Sequence, residues 1–352
     1  MQAQLEVATA PSTSLAAVRE DLCRLRIASA EAARKHGLAI LASGTHPLAP
    51  WWEVSPSASE RYFKVMDMLA RIGRRNMFCG MHVHVELPDP HARVDVMTRL
   101  TPYLPLFVAL SASSPFWLGA ETGLMAYRPA AYEELPRSGI PDLFANEEEY
   151  ESYVSALTEA GAIEDASFIW WMVRPSLKYP TLELRAPDVC TRLGDALAIA
   201  CLYRAIVRHL VRTPGRNAGL SAADRAIAVE NKWIAQRYGV LGTFAGRRGP
   251  QSVAEFLEEV IAMTADDADA LGCSNEVERC RLIIAGGTSA DSQLRVLRER
   301  KHKGSEAALQ AVARWIADET LSERKHNFRV GTRHASFQEG RCPRQPSSAI
   351  SR

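Results

Sequence analysis

Residues 77–87, MFCGMHVHVEL, set the strongest constraint on the fold, because from Met81 to Leu87 they alternate residue by residue between apolar and polar. A strand has a side-chain period of two, so Met81, Val83, Val85 and Leu87 fall on one face and His82, His84 and Glu86 on the other. A helix would scatter these residues around its axis. A chain with this segment has to build a sheet with one dry face and one wet face. Two further segments carry the same implication. FIWWMVR (168–174) and TLELRAP (181–187) read as strands joined by a short turn with Pro175 and Pro180, and Glu183 and Arg185 leave one side of the second. AQLEVA (3–8) alternates as well, which puts Gln4 and Glu6 on a shared face. LAILASGTHP (38–47) reads as a buried strand running into a turn.

Elsewhere the period is helical. Leu15, Val18, Leu22 and Leu25 repeat at helical spacing behind Ser14, a capping residue, and Gly37 stands where such a helix would end. A polar helix is expected near 146–160. Ile199, Leu202, Ile206 and Leu210 form one stripe, Ser252 and Glu255 make a capping box, and Leu309, Val312 and Ile316 mark a last helix. Strands early, helices late and no regular βαβ alternation argue for an α+β fold. Residues 1–322 read as a single domain. The basic, Pro/Ser-dotted segment 323–352 has no periodicity and is expected to be a disordered tail.

Charge and cysteine content bound the partners. Lys plus Arg is 42 against 41 Asp plus Glu, a net charge of +1, which gives no sign of a nucleic-acid or membrane partner. Charge recognition is therefore local, inside a site. No charged residue lies between Arg99 and Glu121, but Pro102, Pro105 and Pro115 make this a buried helix with a broken end rather than a membrane span. The first residues show no secretory signal. The seven cysteines include no CxxC pair, and Cys23, Cys190 and Cys201 read as reduced core thiols, so a reducing, cytoplasmic setting is expected.

The wet face holds the candidate chemistry. His82 and His84, two apart on a strand, project together and suit metal or phosphate contact; hydrogen-bonded imidazoles of the core give the same pattern. Glu183 and Arg185 repeat the arrangement: a carboxylate suits Mg²⁺ and a guanidinium suits phosphate oxygens, the two needs of an ATP site, while pairing across the sheet is the alternative. Trp170 and Trp171 before Arg174 read as packing residues. Glu230, Arg237 and Tyr238 read as a solvated helix face, and Asp291 with Gln293 as a helix start.

Taken in order, CGMHVHVELPD (79–89), SASSPFWLGAETG (111–123), RPSLKYPTLELRAPD (174–188), ENKWIAQRYG (230–239) and GGTSADSQ (286–293) resemble the carboxylate–amine ligases of the type 2 glutamate–cysteine ligase family. GTHPLA (44–49) and QLEVATAP (4–11) agree with it, and the resemblance spans roughly residues 2–321. It implies a fold like glutamine synthetase and the guanidino kinases: a curved, mostly antiparallel sheet carrying ATP and Mg²⁺, with helices packed on one side. It also implies a two-step reaction, in which ATP phosphorylates a glutamate-like carboxylate and an amine such as cysteine displaces the phosphate. By resemblance, Glu183, Glu6 and His82 would hold metal. Arg185 would contact the transferred phosphoryl group, with His82 beside it, and His84 and Arg174 would complete the face. The substrates would be small molecules, and pairing of sheet edges would suit a homodimer. One departure stands out: the family's GxExE strand, whose glutamates bind metal ions, has no equivalent in this sequence. A chain lacking it is expected to bind Mg–ATP weakly, which keeps a non-catalytic relative as an alternative, alongside an HxH metal-dependent hydrolase.

Overall fold

The computed structural model describes residues 1–55, 60–247 and 249–322. The tail read at 323–352, with Cys342, lies outside the described residues.

At the centre is a three-stranded antiparallel sheet in the order Val83–Glu86, Thr181–Leu184, Val173–Pro175. The hairpin expected from Pro175 and Pro180 forms, and it brings Arg174 opposite Glu183. On the other side of the same strand, His84 is opposite Glu183. Beneath the sheet Leu182, Leu184 and Val173 are fully buried. They lie on the helix Leu193–Arg212, whose stripe of Ile199, Leu202, Ile206 and Leu210 is inaccessible to solvent. Each such side chain contributes roughly 1.5–3 kcal/mol by leaving water. Tyr203 of this helix donates its hydroxyl to the Leu182 carbonyl at 3.0 Å, which fixes helix to strand.

The uncharged stretch after Arg99 starts at the end of the buried helix Arg93–Leu100, passes through one 3-10 turn and forms the buried helix Leu104–Ser111. Pro102 and Pro105 sit in the first turns, where the missing N–H costs nothing. Among the described residues no helix is long and apolar enough to cross a membrane. Ser14 caps the helix Leu15–Arg34, Asn146 caps Glu147–Glu159, and the Ser252–Glu255 capping box opens Val253–Ala270. Two last helices, Ser289–Arg300 and Ser305–Thr320, share a smaller core of Phe116, Leu297, Leu309, Val312 and Ile316. The α+β class is borne out, with helices predominating over small sheets. Cys23, Cys79, Cys190, Cys201, Cys273 and Cys280 are free thiols.

Two expected strands are absent. Residues 3–8 are irregular, with Leu5 66% exposed, because the alternation needs a neighbouring strand to bury its apolar side and none of the described residues supplies one. Residues 38–47 form no strand and bend at 43–45 and 47. Scattered bonds hold them: the Ala42 amide donates to Thr320 Oγ1, the Gly44 amide to Ser113 Oγ, and the Gly44 and Pro47 carbonyls accept from the Cys79 and Gly119 amides. The segment 168–174 is split, Trp170–Trp171 pairing in parallel with Ser138–Gly139 before Val173 joins the central sheet.

Candidate active site

Glu183 occupies the middle strand, and its carboxylate is only 5% exposed although it belongs to the polar face. Its register neighbours explain why it stays ionised. Arg174 donates Nε to Oε2 at 2.8 Å, and Arg185 donates Nη1 to Oε1 at 2.5 Å. His82 Nδ1 lies 3.4 Å and His84 Nε2 4.0 Å from the same Oε1. Burial alone would raise the Glu183 carboxyl; Arg185 and Arg174 outweigh it and hold it at about 2. Burial and, next, the Arg185 guanidinium push His82 well below the usual imidazole range, although its side chain is one-third exposed and water moderates the effect. Burial lowers His84 too, against the pull of Glu183. At neutral pH the cluster therefore holds one carboxylate, two guanidinium groups and two neutral rings, an excess of one positive charge.

The supporting contacts are specific. Arg174 Nη1 donates to the carbonyls of Ser167 and Ile169 at 2.9 and 2.6 Å. His84 Nδ1 meets Thr181 Oγ1 at 2.8 Å, with the Tyr179 ring edge-on to it. Tyr132 acts on the Arg185 side chain to favour its charged form. Arg185 Nε is buried with no hydrogen-bond partner among the described residues.

The donor set suits an anion and does not suit a bare metal ion. Mg²⁺ asks for several hard oxygens, and here the one carboxylate already has both oxygens on guanidinium groups. Among the described residues no three His, Cys, Asp or Glu groups gather as metal ligands. Of the residues named from the sequence, Glu183, Arg185, Arg174, His82 and His84 are brought together. Glu6 is not: it is exposed on the irregular segment, outside the cluster's hydrogen bonds. Trp171 packs on Phe144 and stacks on Tyr153, as expected of a core residue. Asp291 closes a capping box with Thr288, and Gln293 donates to the Ser113 carbonyl, both structural roles. Sequence reasoning missed Tyr132, and nothing in YRPAAY marked it.

The family model described as glutamate-cysteine ligase family 2 (GCS2) matches residues 1–311. A protein of Bradyrhizobium diazoefficiens named "Putative glutamate--cysteine ligase 2" is 52% identical over 324 residues, covering 92% of this chain and 75% of that one. One of the same name from Rhodospirillum rubrum is 43% identical over 326 residues, covering 92% and 84%. Among solved structures, the Pup ligase PafA in complex with ADP overlaps with a TM-score of 0.47 at 10% identity, covering 88% of this chain and 65% of that one.

Proposed function

Because the chain belongs to the glutamate–cysteine ligase family 2, we propose that it is an ATP-dependent ligase joining a glutamate-like carboxylate to an amine such as cysteine, with residues 1–322 as one catalytic unit. The chemistry sets what the site has to do. A carboxylate does not react with an amine at neutral pH, so its oxygen first attacks the γ-phosphorus of ATP and ADP leaves. The amine nitrogen then attacks the carbonyl carbon of the acyl phosphate, loses a proton, and expels phosphate. Both reactants of the first step are anions, and protein catalysis of such a transfer is mostly positioning and charge neutralisation.

The observation that carries this reading is Glu183 held between Arg174 and Arg185 on the face that also presents His82 and His84. Arg185, with its free Nε, contacts the transferred phosphoryl group. Arg174 neutralises a neighbouring oxygen, and the neutral His82 and His84 line the approach without adding charge. Magnesium enters with ATP as part of the substrate, and no step is assigned to a metal held by the protein. The donor set also favours a second reading, a relative that binds phosphates without turnover. A hydrolase built on the HxH pair lacks a third ligand among the described residues.

Incubation with ATP, Mg²⁺, glutamate and hydroxylamine tests the proposal, because hydroxylamine traps an acyl phosphate whatever the natural amine. Hydroxamate and ADP are expected in equal amounts, with loss of both in Arg185→Ala. Folded protein that binds nucleotide yet gives no hydroxamate would select the second reading.

A further inference from the structure

The strand that carries Glu183 does not run on regularly through Arg185. The amides of Arg185 and Ala186 both donate to the single carbonyl of Met172, at 2.7 and 3.0 Å. Two residues opposing one is a β-bulge, which re-aims a side chain and leaves the local ladder incomplete. Held by nothing else, a bulge here would let Arg185 swing away from Glu183.

One buried side chain closes this gap. Arg128 Nη2 lies 3.2, 2.7 and 2.6 Å from the carbonyls of Arg185, Ala186 and Pro187 in succession. Its Nε donates to Asp188 Oδ1 at 2.8 Å, and both side chains are almost wholly buried. Asp188 is fixed in turn: its Oδ2 accepts from the Ser113 amide and the Ser114 hydroxyl, and that hydroxyl accepts from the Arg128 amide. The space is tailored, since a Cβ at Gly80 would stand 3.0 Å from Arg128 Nη1. Arg128 is the second residue of the short helix Tyr127–Tyr132, and Tyr132 at its other end acts on the Arg185 side chain to favour its charged form. One helix thus holds the Arg185 backbone and influences its head.

Resting on the ligase reading, we infer that Arg128 is a positioning residue, which holds the bulge at Arg185–Ala186 and so aims the Arg185 guanidinium at the anion. Its side chain is only 6% exposed, and its Nε and Nη2 donors are spent on the chain itself. Arg128→Lys keeps a positive charge facing Asp188 and loses the fork that spans the carbonyls.

A double-mutant cycle of Arg128→Lys and Arg185→Ala tests this, read by calorimetric binding of inorganic pyrophosphate and by hydroxamate turnover. A residue acting through Arg185 gives non-additive effects. Each single change is expected to weaken pyrophosphate binding about tenfold or more, and the double variant to bind no worse than Arg185→Ala. In turnover, Arg128→Lys is expected to lose about 100-fold in kcat, as for a misplaced catalytic group. Additive losses, or an Arg128→Lys variant that binds like the wild type, overturn the assignment. So does a wild-type protein that binds no pyrophosphate, because Arg185 then aims at no anion. Wild-type protein that binds pyrophosphate but forms no hydroxamate sinks the ligase reading alone, and the binding cycle still decides for Arg128. If Arg128→Lys fails to fold by circular dichroism, Ser114→Ala, which removes the hydroxyl between Arg128 and Asp188, takes its place in the cycle.

Discussion

Replacing Glu183 by glutamine keeps the shape, removes the charge and turns one accepting oxygen into an NH2 donor facing a guanidinium, so its cost measures what the ion cluster contributes. The carboxyl is held at about 2 against an ordinary 4.5. A difference of that size, at about 1.4 kcal/mol per pH unit, amounts to about 3 kcal/mol of stability at pH 7. The same range follows from stripping one partner from a buried ion pair, about 3–5 kcal/mol. Because the folded-state value lies below the unfolded one, this stability is complete above about pH 4.5 and is lost as the pH falls toward 2. Linkage leaves about half of it at pH 3. Urea denaturation of the wild type and Glu183→Gln at pH 7, 5, 4 and 3 should show a gap of about 3 kcal/mol that narrows only below pH 4.5. A gap under 1 kcal/mol at pH 7 would refute the claim that Arg174 and Arg185 outweigh the burial of the carboxylate. A gap that does not change with pH would show that shape, and not charge, is what the substitution disturbs.

Two other outcomes test the site's charge and its packing. Magnesium chloride titrated into nucleotide-free protein is expected to give no saturable heat, because the single carboxylate is already paired with two guanidinium groups; stoichiometric binding would contradict that argument. Gly44→Ala places a Cβ 2.6 Å from Asp188 Cγ, which cannot yield because both of its oxygens are engaged. Overpacking of this kind costs about 1–3 kcal/mol, and an unchanged denaturation midpoint would show that Asp188 is less firmly held than its contacts imply.

The parts of the fold legible in the sequence are those whose signal is local. The alternation around His82 and His84 marked the strand Val83–Glu86, and the stripe from Ile199 to Leu210 marked the helix beneath it, because burial of one face imposes its period directly on neighbouring residues. Capping at Ser14 and Ser252 was legible for the same reason, since donor and acceptor lie within three residues of each other. Residues 3–8 show where this fails. Alternation is only a capacity to be a strand, and pairing depends on a partner that the local sequence does not contain. Residues 38–47 fail differently: their hydrogen bonds scatter to Cys79, Ser113, Gly119 and Thr320, far along the chain, and no ladder exists to be read.

The candidate site lies between these cases. Glu183 and Arg185 were placed on one face by a period of two, and the side chains do meet. Yet the period is interrupted at that point, where two amides share the Met172 carbonyl. Agreement between pattern and structure at Arg185 is therefore not the work of the strand alone. It needs a guanidinium arriving from 57 residues earlier to span the carbonyls that the bulge leaves exposed. Arginine at position 128 has no local partner, no periodic neighbour and no motif, so it could not be found without the fold. A strand can bring an acid and a base to the same side of a sheet, but keeping them at bonding distance where the strand bends requires a residue from outside it, and Arg128 meets that requirement.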